Sequence, residues 1–371
     1  MLNAGAVRFV YNYCLEVRAK TYQLTGKSMT NVQCNALIPK LKLQAETAWL
    51  AEANSQSLQA AVKDLDAAYS CFFRKLARFP RFKSKHKTLP SFRCYQNTTV
   101  DFERNTIQLS KHGKIKIALD KRRWDGRIVS AAIKRNARKQ WFASVLVDDD
   151  KPEPVTPTKL TDLTGVDLGL TDIIVTSGPN RIKAPAPRYH KRELSRLRRA
   201  QRKVSRRYRG ERKSDVMTKA SHRYRKAKHR VAVIHGRVAD RRNDFLHKLS
   251  TKLVAENQGL AFEDLNVKGM QKNRRLARAI SDAGWAELVR QCEYKCKWAS
   301  KPFVRIGRYA PSSKLCTCGV LNHKLQLKDR VWTCTNCGAT HNRDELAADN
   351  IRRFALHPQV FLRAGSPEAA S

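Results

Sequence analysis

The segment Leu163-Thr164-Gly165-Val166-Asp167-Leu168-Gly169-Leu170 is a short apolar strand with one carboxylate in its middle. An acid buried in such a strand is costly unless it is paired or binds a cation. The pattern returns at Leu260-Ala261-Phe262-Glu263-Asp264-Leu265, and a third acid, Asp344, opens an apolar helix. Each acid has a purely structural explanation. Asp167 could be a turn residue before Gly169, Glu263 or Asp264 could pair with a neighbouring Arg, and Asp344 could simply favour a helix N-terminus. Their order argues for more, because a meander follows the first and a helix follows the third. It predicts a strand, strand and helix bringing three carboxylates to one edge of a sheet. Such a trio suits Mg²⁺, which keeps some water and accepts a few carboxylates plus phosphate oxygens. Two such ions about 4 Å apart activate an attacking water and stabilise the leaving oxygen of a phosphodiester.

Downstream of Asp167, the stretches Asp172 to Thr176 and Arg181 to Ala184 continue the strand as a meander around a Ser177-Gly178-Pro179-Asn180 turn. From Arg188 to Lys248 the pattern is helical and very basic, with clusters at Arg196, Arg198 and Arg199, at Arg206, Arg207 and Arg209, and at Arg223 and Arg225. Acids at salt-bridge spacing are too few to balance this run, which favours a nucleic-acid-binding face over a solvated charged helix. Lys268 extends the candidate set, and Tyr189, Tyr208 and Tyr224 could stack on exposed bases. A helix through Trp285, Leu288 and Val289 leads to a strand at Phe303 to Ile306.

Two short cysteine pairs follow, Cys316-Thr317-Cys318-Gly319 and Cys334-Thr335-Asn336-Cys337-Gly338. Their layout is that of a zinc ribbon, in which two knuckles offer four thiolates to one tetrahedral ion. The first knuckle has one residue between its cysteines where two are usual, so His323 or His341 could replace a thiolate, although an exposed loop histidine is the simpler reading of each. The other six cysteines (Cys14, Cys34, Cys71, Cys94, Cys292 and Cys296) stand singly among apolar residues and read as buried reduced thiols.

Upstream, Arg8 to Leu76 is helical, with Leu58, Ala61, Val62, Leu65, Tyr69, Phe72 and Leu76 at spacings of three and four and Asn54 or Ser55 as a cap. Between Thr99 and Val147 the period drops to two, which predicts several short antiparallel strands forming a small barrel or sheet. Asp148 to Pro157 reads as a linker. The 371-residue chain carries 74 Lys and Arg against 32 Asp and Glu, a formal charge of +42. That excess calls for a polyanionic partner, by default nucleic acid. A membrane surface fits poorly, because no long apolar run or lipidation signature is present. Nothing at the start resembles a secretory signal, so a cytoplasmic location is expected.

Several blocks together resemble the TnpB (OrfB) proteins of bacterial insertion sequences. They are Val7-Arg8-Phe9-Val10-Tyr11-Asn12, Phe79-Pro80-Arg81-Phe82-Lys83-Ser84-Lys85, Gly165 to Gly169, Phe262 to Met270, Ser312-Ser313-Lys314 with the cysteines, and Arg343-Asp344 with Ala347-Ala348 and Asn350-Ile351. The resemblance implies an RNA-guided DNA endonuclease related to type V CRISPR effectors, with a guide RNA from the transposon end and double-stranded DNA as target. Its rival is a nuclease-silent, guide-dependent DNA-binding protein or a transposition accessory factor.

The implied fold is a multidomain α/β (α+β) one. A helical recognition lobe (1–78) and a β-barrel wedge domain (79–150) would precede a RuvC-type, ribonuclease-H-like nuclease (159–310). A zinc ribbon (311–340), the last nuclease helix (341–356) and a disordered tail (357–371) would follow. By the same resemblance Asp167, Glu263 and Asp344 are the catalytic residues and Mg²⁺ ligands, and Cys316, Cys318, Cys334 and Cys337 hold Zn²⁺. The chain differs from that pattern at the short first knuckle and at Asn342, Glu345 and Leu346. The same resemblance leads one to expect that the wedge strand with which relatives begin is missing.

Overall fold

The computed structural model describes residues 2–85, 88–119, 123–157, 162–208, 221–326 and 328–358. Two compact units divide after Pro152, within the Asp148 to Pro157 stretch. The tail from residue 359 onward and Arg209 lie outside the described residues.

The first unit begins with α1 (Leu2–Thr25), α2 (Asn31–Leu43), a 3-10 turn at Ala48–Glu52 and α3 (Ser55–Phe73). Leu58, Ala61, Val62 and Leu65 recur at helical spacing, and together they bury one face of α3 against Val10, Cys14 and Leu15 of α1. The Asn54 side chain caps α3, accepting from the amides of Gln56 and Ser57 at 2.9 and 3.2 Å. Cys71 lies on the opposite face and is exposed, unlike the other singly placed cysteines, because the apolar stripe of α3 passes it by.

Two three-stranded antiparallel sheets complete this unit. One joins β1 (Ser91–Cys94) to β5 (Arg127–Arg135) and β6 (Trp141–Asp148). The other runs β2 (Thr99–Asp101), β3 (Thr106–Leu109) and β4 (Gly113–Lys116). They share a core of Cys94, Ile107, Leu109, Ala131 and Ile133. No closed barrel forms among the described residues. β6 instead ends its sheet as an edge strand, and Trp141, Phe142 and Leu146 are 42%, 52% and 59% exposed on it.

The second unit is built on a mixed sheet of order β11-β10-β7-β8-β9. Its strands are β7 (Thr164–Asp167), β8 (Asp172–Thr176), β9 (Lys183–Pro185), β10 (Leu260–Glu263) and β11 (Phe303–Ile306). β10 runs parallel to both β7 and β11, while β7, β8 and β9 form an antiparallel meander. Between β9 and β10 come two long basic helices, α4 (Tyr189–Arg207) and α5 (His222–Glu256). Between β10 and β11 lie α6 (Val267–Met270), α7 (Ala277–Ala283) and α8 (Trp285–Trp298). A two-stranded hairpin, β12 (Val331–Thr333) and β13 (Thr340–Asn342), runs directly into α9 (Arg343–Leu356).

Strand alternation sorts the core into two layers. Val166 and Phe262 face α5 and α8, packing with Leu246, Leu253 and Leu288. Ala261 and Ile306 face the other way and pack on Ile351 and Phe354 of α9. Gly165 shares that second face, and a Cβ on it would stand 2.1 Å from the Ala348 carbonyl oxygen. Only glycine lets α9 lie this close to β7. Asp167 and Glu263 have the parity of Gly165 and Ala261, so both acids project on the α9 side.

Candidate active site and metal centre

The register that pairs Phe262 with Val166 puts Glu263 and Asp167 side by side at the carboxyl ends of two parallel strands. Asp344 stands in the first turn of α9, whose N-terminus is capped by Asn342 accepting from the amides of Asp344 and Glu345 at 3.2 and 3.3 Å. All three acids are half-buried. Burial, and then the charge of Asp344, raise the Asp167 carboxyl to about 7. Burial, then Asp167 and Asp264, raise Glu263 to about 7 as well. The like charges are close enough to oppose each other's ionisation, a conflict that a shared cation removes.

The simpler roles divide unevenly among the acids. Asp264 does pair with an arginine, its carboxylate 2.8 Å from Arg308, whereas no ion pair to Glu263 is present among the described residues. Asp344 accepts from Arg330, whose Nη1 lies 3.0 and 2.9 Å from its two oxygens. Arg330 precedes β12, and its carbonyl accepts from the Arg343 amide at 2.8 Å. The cysteine-bearing hairpin thus places a positive charge on the third acid. Glu345 points away from that trio; Lys183 holds its Oε1 at 2.6 Å.

The four sulfurs of Cys316, Cys318, Cys334 and Cys337 all lie within 4.8 Å of one another. Cys316 and Cys337 are 3.6 Å apart and Cys318 and Cys334 3.7 Å. Tetrahedral Zn–S bonds of about 2.3 Å imply sulfur separations of about 3.8 Å, so the donor set fits zinc despite the short knuckle. The Val320 amide pulls the Cys318 thiol down to about 6, and the Cys337 and Asn336 amides lower Cys334. Although the Ala339 amide also pulls on Cys337, the Cys316 and Cys318 sulfurs push it up to about 12. Four thiols so close cannot all ionise without a cation among them. His341 does not join the group of four, although its Nε2 is 3.0 Å from Cys316 Sγ. His323 is exposed.

The basic helices α4 and α5 pack side by side and enclose a groove of about 610 Å³ lined by Arg196, Lys203, Arg207, Arg223, Lys226 and Arg230. Three of these, Arg196, Arg207 and Arg223, were expected from sequence. Arg198, Arg199, Arg206 and Arg225 are exposed on the same two helices, and Lys268 is exposed on α6. Tyr208 and Tyr224 lie together with ring centroids 5.9 Å apart. Tyr189 instead packs edge-on against Phe245, so it is committed to the fold. Charge clustering identified the helices but not Lys203, Lys226 and Arg230, which reach the groove only through the α4–α5 pairing. No sequence signal pointed to Arg330.

Residues 144–274 match the OrfB IS605 family model described as "Probable transposase". Residues 285–351 match a Cas12f1-like TNB domain and residues 2–27 an OrfB IS605 helix-turn-helix domain. A Streptomyces pristinaespiralis protein named "Putative RNA-guided DNA endonuclease" is 40% identical over 360 residues, covering 95% of this chain and 84% of that protein. The Escherichia coli K12 protein InsQ, carrying the same description, is 29% identical over 363 residues, 94% of this chain and 86% of its own length. In three dimensions the chain is similar to Cas12f1 in its complex with sgRNA and target DNA, with a TM-score of 0.55 at 15% identity over 95% of this chain and 81% of that one. At that identity the likeness concerns the fold.

Proposed function

The chain belongs to the TnpB (OrfB) family of insertion-sequence proteins, and from that premise we propose that it is an RNA-guided DNA endonuclease. It would cut double-stranded DNA beside a short target-adjacent motif, directed by an RNA transcribed from the transposon end. What supports this reading is that Asp167 and Glu263 end adjacent parallel strands and that Asp344, in the first turn of the helix packed on that face, lies near enough to raise the Asp167 carboxyl. The β7-to-α9 unit is read as a RuvC-type, ribonuclease-H-like nuclease and the cysteine hairpin as its zinc ribbon. The helices of the first unit would form the recognition lobe and its two sheets the wedge.

Asp167, Glu263 and Asp344 would hold the catalytic divalent ions, in this reading two Mg²⁺. Bound there, the ions would supply a nucleophilic water at neutral pH and charge neutralisation at the leaving oxygen. The side chains contribute the rest. Asp167 and Glu263 must give up their protons to serve as ligands. Arg330 holds the charge of Asp344 and would offer its guanidinium to a bound phosphate. Cys316, Cys318, Cys334 and Cys337 would hold a structural Zn²⁺ that fixes the hairpin carrying Arg330. The α4–α5 groove offers closely spaced guanidinium and ammonium groups to a nucleic-acid backbone, while base pairing with the guide supplies sequence selection. No helix among the described residues is long and apolar enough to cross a membrane, and the site of action would be the bacterial cytosol or nucleoid.

The test is cleavage by the protein co-expressed with the flanking transposon-end transcript, on a plasmid with a matched target and randomised flanks. Cutting that needs Mg²⁺, stops in EDTA and selects one flanking motif supports the reading. Guide RNA that copurifies without any cutting would shift it to guide-dependent DNA binding alone.

A further inference from the structure

The turn between β8 and β9 presents Arg181 to the solvent side of α9. Its Nη1 and Nη2 donate to the two oxygens of Asp349 at 3.1 and 2.7 Å. Nη1 also donates to the carbonyls of Thr176 at 3.3 Å and Glu345 at 3.5 Å, and Nε lies 3.7 Å from the Glu345 carboxylate. Lys183 holds the other Glu345 oxygen at 2.6 Å, and the Gly178 amide donates to Asp349 at 3.3 Å. One arginine thus grips the backbone of β8 and, at two successive turns, the helix that carries Asp344.

We propose that Arg181 is a positioning residue for the nuclease centre, fixing the rotation and axial setting of α9 so that Asp344 meets Asp167 and Glu263. The need for such a clamp follows from the packing beneath it. α9 crosses β7 at Gly165, whose missing side chain lets the Ala348 backbone come close. Beyond that contact Ile351 and Phe354 interlock with Ala261 and Ile306, and Asn350 donates to the Ser312 and Leu315 carbonyls at 2.7 Å. The backbone contact on Gly165 itself offers no side chain to interlock, so the setting of the turns that lead back to Asp344 depends more on polar anchors. Asp349 follows Ala348 directly, on the helix five residues from Asp344, about 7.5 Å along the axis. A planar fork on both Asp349 oxygens fixes orientation as well as distance, which a single ammonium cannot do. The other end of the clamp is tied to the catalytic strand, since β8 pairs with β7 through Thr176 with Val166 and Val175 with Asp167. Exposed ion pairs add little stability; this one is bidentate, networked and only 26% exposed at the arginine, and its role is alignment.

This inference rests on the nuclease reading, and its test separates the two. Mn²⁺ affinity would be measured by electron paramagnetic resonance on the full-length chain with guide RNA, alongside guided cleavage, KM for target DNA, guide affinity and thermal midpoint. Arg181→Met should weaken Mn²⁺ binding roughly ten-fold or more and lower kcat comparably, as loss of a group that orients metal ligands does. Guide affinity and KM should not move. Arg181→Lys, which keeps the charge but loses the fork, should fall in between. Asp349→Asn, which keeps Arg181 and its carbonyl bonds but weakens the charged fork, should lower Mn²⁺ affinity in the same direction and covers the case in which Arg181→Met folds poorly. Wild-type Mn²⁺ binding and kcat in Arg181→Met would overturn the clamp while leaving the nuclease intact. So would a loss of guide affinity, metal affinity and thermal midpoint together in both Arg181→Met and Asp349→Asn. A wild-type chain that holds guide RNA but neither binds Mn²⁺ nor cuts would overturn the nuclease reading, and the clamp with it.

Discussion

At Asp167 and Glu263 the same physical fact serves stability and function with opposite sign. Both carboxyls are raised to about 7, Asp167 by burial and the Asp344 charge and Glu263 by burial and the Asp167 charge. Protonation is therefore favoured in the folded, metal-free chain. The stabilisation it gives is present below the ordinary carboxylate range and is lost as pH rises through about 7. A divalent cation must displace those protons, so its affinity follows the reverse course. Between about pH 6 and about pH 8, Mn²⁺ affinity should rise by roughly ten-fold for each titrating carboxyl. Over the same interval the thermal midpoint in EDTA should fall, and Asp167→Asn should flatten both trends. Calorimetric titration and thermal scans at the two pH values check this; a pH-independent affinity would mean that these acids are not ligands. The acids themselves were legible in the sequence, because a lone carboxylate in an apolar strand contradicts its surroundings. Arg330 and Arg181 were not, since each leaves a loop or turn and acquires its partner only from the way α9 folds back on the sheet.

The elements show why local patterns succeed in some places and fail in others. α3 carries an apolar stripe and a capping asparagine within a few residues, and both signals are local. β1 is only four residues long behind Pro90 and exists because β5 pairs with it, so nothing in Ser91–Cys94 alone announces a strand. The expected barrel likewise required strand closure, a long-range property, and the alternation of β5 and β6 says nothing about what lies beyond the β6 edge. Gly165 tests the most consequential element contact. Gly165→Ala would drive a methyl into the Ala348 carbonyl, where backbone rather than a flexible side chain must yield. The expected cost is about 3 kcal/mol, read from denaturant unfolding; a neutral effect would mean that α9 is not seated on β7. The cysteine hairpin makes a separate prediction. Elemental analysis should find about one zinc per chain, and Cys337→Ser should lose it. Proteolysis within residues 311–340 should then accelerate while the first unit keeps its melting behaviour. Full zinc retention in that variant would remove Cys337 from the ligand set.

On the scale of the whole molecule, charge and topology divide the labour. A formal charge of +42 favours any polyanion over long range, and the α4–α5 groove concentrates part of it on the unit that also carries the acid trio. Composition made a polyanionic partner legible, and three scattered acids made the proposed metal chemistry legible. Only the mixed sheet, with β7 and β10 parallel and α9 packed on it, sets Asp167 beside Glu263 and near Asp344. In the proposed function, Asp167, Glu263 and Asp344 form one metal-dependent nuclease centre. The most direct test is guided plasmid cleavage by the wild-type chain and by Asp167→Ala, Glu263→Ala and Asp344→Ala, each purified with its guide RNA and assayed with Mg²⁺. The wild type alone should cut, and all four proteins should retain guide RNA. Cutting that survives in any one of the three variants, or in EDTA, would contradict that reading.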